Sequence, residues 1–285
     1  MEQIRFVRAD GREFLMDGSY SGPASWGILS HNGFGLIEND ITTEKYASGD
    51  GVEVTGEYIP SRPLDIKADV KHTSKNAEER AYALSFFNPK HNYTIYATND
   101  GITRWINAKL QKRKCEPPTL GEHAVMELAL ICPDPFFNGM DSYGKDIASK
   151  AGGMVFPFRS PINIGFNTGY YAYSQITTIQ NGGDIATDLI IDIVVNGEVV
   201  NPKIIKDVSY VRVKKVLQSG DRLRLDLQRG RITLNGENCI GKVDRTSNFQ
   251  GMKIEPGTSE ISFGADSGDS NMSIVVNYTQ KYLGV

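Results

Sequence analysis

Cysteine is scarce in this chain. Cys115, Cys132 and Cys239 are odd in number, far apart in sequence and form no CxxC pair. No disulfide framework or thiolate cluster can be read from them, and the default is reduced, structural thiols. Histidine is nearly as sparse: His31, His72, His91 and His123 stand singly, all in the first half, with no HExxH. The sequence therefore offers no zinc site, and the second half cannot hold a Ser-His-Asp or Cys-His set of its own. No apolar run approaches the roughly 20 residues that cross a bilayer, so membrane insertion is not expected. The opening Met1-Glu2-Gln3-Ile4-Arg5 lacks the apolar core of a cleaved export signal. A phosphate-binding P-loop is missing, and Gly33-Phe34-Gly35 is only a fragment of a dinucleotide fingerprint. A net charge of −3 without a basic block gives no electrostatic grip on nucleic acid.

Tryptophan is limited to Trp26 and Trp105, both in the first half. The second half thus lacks the indole platform on which sugars stack. Tyr170, Tyr171 and Tyr173 could substitute, or serve as amphipathic strand residues. Acidic stretches are present at Glu38-Asn39-Asp40 and at Asp266-Ser267-Gly268-Asp269-Ser270-Asn271. The second has oxygen ligands in a glycine loop, but it lacks EF-hand spacing and the closing acid, and reads as a solvated turn. Nothing selects a carboxylate pair for glycoside hydrolysis. The reading is no catalytic residue, no cofactor and no metal.

What is present is β-structure in two blocks. A length of 285 residues suits about two domains. The organising stretch is Ile131-Cys132-Pro133-Asp134-Pro135-Phe136-Phe137, which follows the apolar run Ala124–Ile131. Its prolines remove two donors and end the strand, and its phenylalanines need a place to pack. The polar, glycine-rich run after it reads as a linker over 141–153, between domains at 1–140 and 154–285.

In the first block Leu64, Ile66, Ala68 and Val70 alternate with Asp65, Lys67, Asp69 and Lys71, the pattern of a strand with one wet face. Thr98-Asn99-Asp100-Gly101 marks a hairpin between Tyr93–Ala97 and Ile102–Ile106. One helix is expected at about 76–87, with Asn76 as cap, Glu79 completing a capping box, and Ala77, Ala81, Leu84 and Phe87 at helical spacing. Gly18–Gly35 and Tyr46–Gly51 read as loops. In the second block Leu189–Val195, Leu223–Leu227 and Met272–Tyr278 alternate, with turns at Asn196-Gly197, Arg229-Gly230 and Asn235-Gly236. Short strands with tight turns and no helical pattern argue for a β-sandwich or jelly roll.

Several of these segments together resemble the distal tail proteins of long, non-contractile-tailed bacteriophages. The most specific is Cys132-Pro133-Asp134-Pro135-Phe136-Phe137. Tyr58–Ile66 with its Pro60-Ser61-Arg62-Pro63, the helix carrying Arg80 and Leu84, and Phe87-Asn88-Pro89-Lys90 are similar too. Downstream, Asn181–Asp184, Gly220 to Gly236, Phe249, Pro256-Gly257-Thr258 and Tyr278–Tyr282 continue the likeness. Thr258-Ser259 departs from it where relatives often carry asparagine, and the opening 30 residues match least.

The resemblance implies a mainly β protein of two β-sandwich domains. The N-terminal one would carry a helix and a hairpin and form a ring, and the C-terminal one would be galectin-like. It implies a non-enzymatic component of the virion tail tip, made in the bacterial host cytoplasm. Its expected partners are five further copies in a homo-hexamer, the major tail tube protein, the tail hub or tail-associated lysin, and receptor-binding proteins. DNA would pass through without specific binding. The competing reading is a carbohydrate- or receptor-binding module acting through the C-terminal domain.

Overall fold

The computed structural model describes residues 1–35, 37–146, 148–152, 169–173 and 176–285. They divide into two compact units, Met1–Met140 with Lys281–Val285, and Asp141–Gln280. The chain is mainly β, with a separate apolar core in each unit.

The first unit contains β1 (Gln3–Arg8), β2 (Glu13–Asp17), β3 (Trp26–Asn32), β4 (Asp40–Lys45), β5 (Val52–Tyr58), β6 (Arg62–Val70), helix α1 (Asn76–Phe86), β7 (Asn92–Asn99), β8 (Ile102–Lys114), β9 (Val125–Cys132) and the start of β10 (Phe137–Asp146). Pairing runs β8–β7–β1–β2–β3–β6–β9 and returns to β8. The long strand β8 makes this closure. Ile102 to Lys109 pairs with β7, Lys109 to Lys114 pairs with β9, and the register shifts between Leu110 and Lys112. Such an irregularity bends a strand, so β8 serves both layers of the sandwich. At the opposite corner β2 and β3 meet through two parallel pairs, Met16–Trp26 and Asp17–Gly27.

Alternation fills the core: Ile4 and Phe6 from β1, Leu64, Ile66, Ala68 and Val70 from β6, and Met126, Leu128 and Leu130 from β9 are buried. Asp100 and Gly101 both have positive φ and join Asn99 to Ile102 across the expected two-residue hairpin.

Several expectations need correction. Helix α1 ends at Phe86 and follows a single 3-10 turn, Thr73–Lys75. Asn76 does not cap it; its side chain bonds the backbone of Glu122 and Ala124 ahead of β9. The buried residues are Ala83, Phe86 and Phe87, whereas Ala77 and Ala81 are exposed. Aromatic packing decided that face: Phe86 and Phe87 meet Phe14 and Tyr93, and Phe87 sets its edge against Phe6. The glycine-rich stretch Gly18–Gly35 holds strand β3, whereas Tyr46–Gly51 is a loop as expected and joins β4 to β5. Asp69 and Lys71, placed on a wet face by alternation, are buried.

The second unit holds β11 (Ala148–Gly152), β12 (Gly169–Tyr173), β13 (Ile176–Asn181), β14 (Ile190–Val195), β15 (Val199–Val200), β16 (Lys203–Lys206), β17 (Ser209–Arg212), β18 (Val216–Leu217), β19 (Arg222–Asp226), β20 (Arg231–Leu234), β21 (Glu237–Asn238), β22 (Gly257–Gly264) and β23 (Met272–Tyr282). One layer orders β21–β20–β19–β14–β23 and the other β13–β22–β16–β17. Ile191, Ile193, Leu223, Leu225, Ile274 and Val276 from the first share a core with Ile179, Ile204, Val211, Ile261 and Phe263 from the second. Asn235 and Gly236 have positive φ and turn β20 into β21 as expected. Asn196-Gly197 is no hairpin, since β14 pairs with β19 and β23 instead. The run read as a linker carries the end of β10, and β11 pairs with β12.

Candidate functional site

Three arrangements in the first unit concentrate polar groups or leave surface open. The first is built on Arg62, at the start of β6 and almost wholly buried. Its Nε donates to the Pro135 carbonyl and its Nη1 to the Gly33 carbonyl, both at 2.6 Å, and its Nη2 donates to the Leu283 carbonyl. The guanidinium also lies over the Phe137 ring, 4.9 Å from the centroid. Burial lowers its pKa, but guanidinium stays charged in proteins. One cation therefore ties together the turn before β4, the proline exit after β9 and the segment Lys281–Val285.

That segment has further fastenings. Lys281 pairs with Asp134 at 3.0 Å, Arg104 donates to the Gly284 carbonyl and lies over Tyr282, and the Val285 N–H donates to Phe34. The phenylalanines thus find their places: Phe137 is fully buried against Phe34, and Phe136 lies near Lys281. Gly33 is required here, because it has positive φ and a Cβ would come within 2.1 Å of the Pro63 carbonyl.

The second arrangement is a buried ion pair, Asp17–Lys71, at 3.1 Å. Asp17 also accepts from the Ala24 N–H at 2.6 Å and from Gln3, while Lys71 donates to the Gly22 carbonyl. Burial pushes the Asp17 carboxyl up, and the Ala24 N–H and Lys71 outweigh it, leaving its pKa below the usual value. Tyr20 donates to Asp69 nearby, so the 18–25 loop is held down at three points. This accounts for the failure of simple alternation at Asp69 and Lys71.

The third is surface. Every residue of β4 and β5 is exposed. Cross-strand pairs place Ile41, Thr43, Val52 and Val54 on one face of this two-stranded arm, and Asp40, Glu44, Glu53 and Tyr58 on the other. Glu44 and Glu53 stand directly opposite each other. An isolated hairpin is marginally stable in water, and opposed like charges weaken it further. Elsewhere on the unit, a groove of about 750 Å³ crosses β3, β6, β9 and the end of β8. Lys67, Lys112, Arg113 and Lys114 line it against Asp65 and Glu127. Lys67 pairs with Glu127 and Arg113 bonds the Leu84 and Phe87 carbonyls, whereas the Lys112 ammonium has no carboxylate in reach among the described residues. The near-neutral chain therefore hides one locally basic face, three of whose cations are consecutive in sequence.

The residues singled out for chemistry are not brought together. Among the described residues no group of three or more His, Cys, Asp or Glu could hold a metal. His31 packs on Phe34, His123 bonds the Val70 carbonyl at 2.5 Å, and His72 is exposed. Cys115 and Cys132 are buried, and burial pushes the Cys132 thiol up to about 12. Asp266 accepts from Asn201 and Arg212 through one oxygen, and the Asn271 amide nitrogen donates to the Glu198 carbonyl, so both side chains fasten that loop to its neighbours. Trp26 is buried and Trp105 donates to the Gly139 carbonyl. In the second unit the ring of Tyr210 is covered by Lys203 at 4.0 Å. The side chains of Tyr170, Tyr171 and Tyr173 lie outside the described part. The arm escaped sequence reading because β4 has a single apolar residue, Ile41, and only Val52 and Val54 alternate in β5.

Known proteins bear on this arrangement in three ways. Residues 182–282 match the family of siphovirus-type tail components, C-terminal domain. No curated protein sequence matches the chain. Among solved structures, the SPP1 Dit protein, described as a paradigm of the hub adsorption apparatus in phages infecting Gram-positive hosts, superposes with a TM-score of 0.70 at 14% identity, over 98% of this chain and 99% of that one. A chain of the phage P2 baseplate in its activated conformation with calcium gives 0.51 at 12% identity, over the full length of both chains. The corresponding strontium structure gives 0.50 at 12%, again over both full lengths. Residues 182–282 thus match the siphovirus-type tail component family, and the whole chain shares the fold of SPP1 Dit.

Proposed function

We propose that this protein is a non-enzymatic structural component of the phage tail tip, six copies of which form a ring joining the tail tube to the hub and adhesion apparatus. The observation that carries the reading is the match to a hub protein along 98% of the chain. The open β4–β5 arm supports it, because a marginal hairpin with both faces in solvent is stabilised by a second body. A head-to-tail ring needs two different surfaces on each subunit, and it closes when the rotation per subunit divides a full turn. We place both surfaces on the first unit. The lumen then carries DNA without binding it, since binding to phosphates rises steeply with the number of cationic contacts.

Light scattering across a concentration series, with electron microscopy of any large species, tests the ring. Protein that stays monomeric or two-fold dimeric at every concentration, with the hub partner also present, overturns it. Salt-sensitive binding to random duplex DNA near physiological ionic strength overturns the passive conduit.

A further inference from the structure

We infer that the carboxylate face of the β4–β5 arm of one subunit seats on the lysine-lined groove of the next, so that the arm and the basic face of the first unit are the two halves of one contact. The inference rests on the ring reading and adds to it the identity of both surfaces.

Three observations lead to it. The arm, from Asp40 to Tyr58, carries five carboxylates and one lysine. Three of those carboxylates, Asp40, Glu44 and Glu53, share one face, and two of them oppose each other across the strands. Directly opposed like charges destabilise a ribbon by themselves and are relieved when cations come between them. The groove offers such cations on a rigid floor. Lys112 and Lys114 project from the end of β8 just beyond its bulge, and β9 and β6 hold that segment in register. The Lys112 ammonium lacks an acidic partner among the described residues, and the Lys114 ammonium has Glu116 at 3.8 Å, both largely exposed, and Glu127 across the ladder, whose own ion pair is with Lys67. Exposed pairs of that kind contribute little, so both lysines can be recruited.

The geometry also excludes self-docking, since every arm residue is exposed within its own unit. A second copy is the occupant that supplies both partners in the same stoichiometry. The pairing has a consequence for the conduit, because it covers a basic face that would otherwise attract phosphate.

Charge reversal on each side gives the test. Variant one carries Glu44→Lys with Glu53→Lys, and variant two carries Lys112→Glu with Lys114→Glu, all in the full chain. Each alone sets like charges against like, which raises the concentration for assembly by roughly tenfold or more. Mixed in equal amounts they complement. The reversed arm meets the reversed groove, the wild-type arm meets the wild-type groove, and the two variants alternate around a ring with an even number of subunits. Native mass spectrometry of the mixture should show equal numbers of each variant.

Wild-type assembly by either variant alone overturns the seat while leaving the ring intact, as does failure of the mixture when both variants remain folded. Absence of assembly by the wild type with its tail partners overturns the ring, and this contact with it. If a reversal lowers thermal stability, Glu44→Gln with Glu53→Gln replaces it. Unchanged salt dependence of assembly in that variant counts against the seat, and a flatter dependence supports it.

Discussion

Replacing Arg62 with alanine is the sharpest probe of the first unit. The side chain is buried and donates to three carbonyls from stretches far apart in sequence, those of Gly33, Pro135 and Leu283. Truncation leaves those acceptors without their donor and empties the space over Phe137. A buried acceptor left dry costs about 1–3 kcal/mol, and the desolvation of the guanidinium, no longer required, offsets part of the sum. A net loss of about 3–5 kcal/mol results, the range for breaking a buried charged contact. With a urea dependence of about 1–3 kcal/mol per molar, the midpoint falls by about 2 M.

The assay is selective because the chain's two tryptophans, Trp26 and Trp105, both lie in the first unit. Tryptophan fluorescence therefore follows that unit alone, while far-UV circular dichroism follows both. The first unit's transition should move and the second's should not. Arg62→Lys should recover less than half of the loss, because one ammonium cannot span three carbonyls as a planar fork does. A loss under about 1 kcal/mol, or full recovery by lysine, would refute the clamp.

Other outcomes follow from the same structure. Lys71→Met leaves Asp17 charged and buried, so the fluorescence-monitored unit should lose about 3–5 kcal/mol at neutral pH. Because the folded Asp17 pKa is depressed, its contribution is present above the unfolded carboxyl value and disappears as pH falls through the folded one; the Lys71→Met deficit should therefore shrink below about pH 4, as urea midpoints would show. Cys132 has the opposite sign. Burial raises its thiol from 9.0 to about 12, so stability is whole below pH 9 and falls as pH rises toward 12, by at most about 4 kcal/mol at 1.4 kcal/mol per pH unit. Cys132→Ala should flatten that alkaline decline in urea titrations. Gly33→Ala places a Cβ 2.1 Å from the Pro63 carbonyl at a φ of +86°, and should lower the thermal midpoint through a strain of about 1–3 kcal/mol or more.

Local chemistry was enough to read much of this protein. Alternation in β6, β14, β19 and β23 names most of their buried residues because a pleated strand turns successive side chains to opposite faces. Asp100-Gly101 and Asn235-Gly236 announce their turns because positive φ is cheap for those residues. The prolines after Cys132 stop β9 whatever surrounds them. Distance in sequence hid the rest. Asp69 and Lys71 obey the strand period, yet they are buried because Tyr20 and Asp17 arrive from another part of the chain to satisfy them. Asn76 has the pattern of a cap, but the backbone before β9 takes its side chain. Arg62 looks like an ordinary charge beside a proline until residues 33, 135 and 283 converge on it. The arm and the basic face emerged only from the fold, because a solvent-exposed ribbon shows no burial periodicity and a net charge of −3 averages a cationic face away. Short-range sterics and hydrogen bonding set elements and turns, whereas satisfying a buried charge requires partners that only tertiary folding brings within 3 Å.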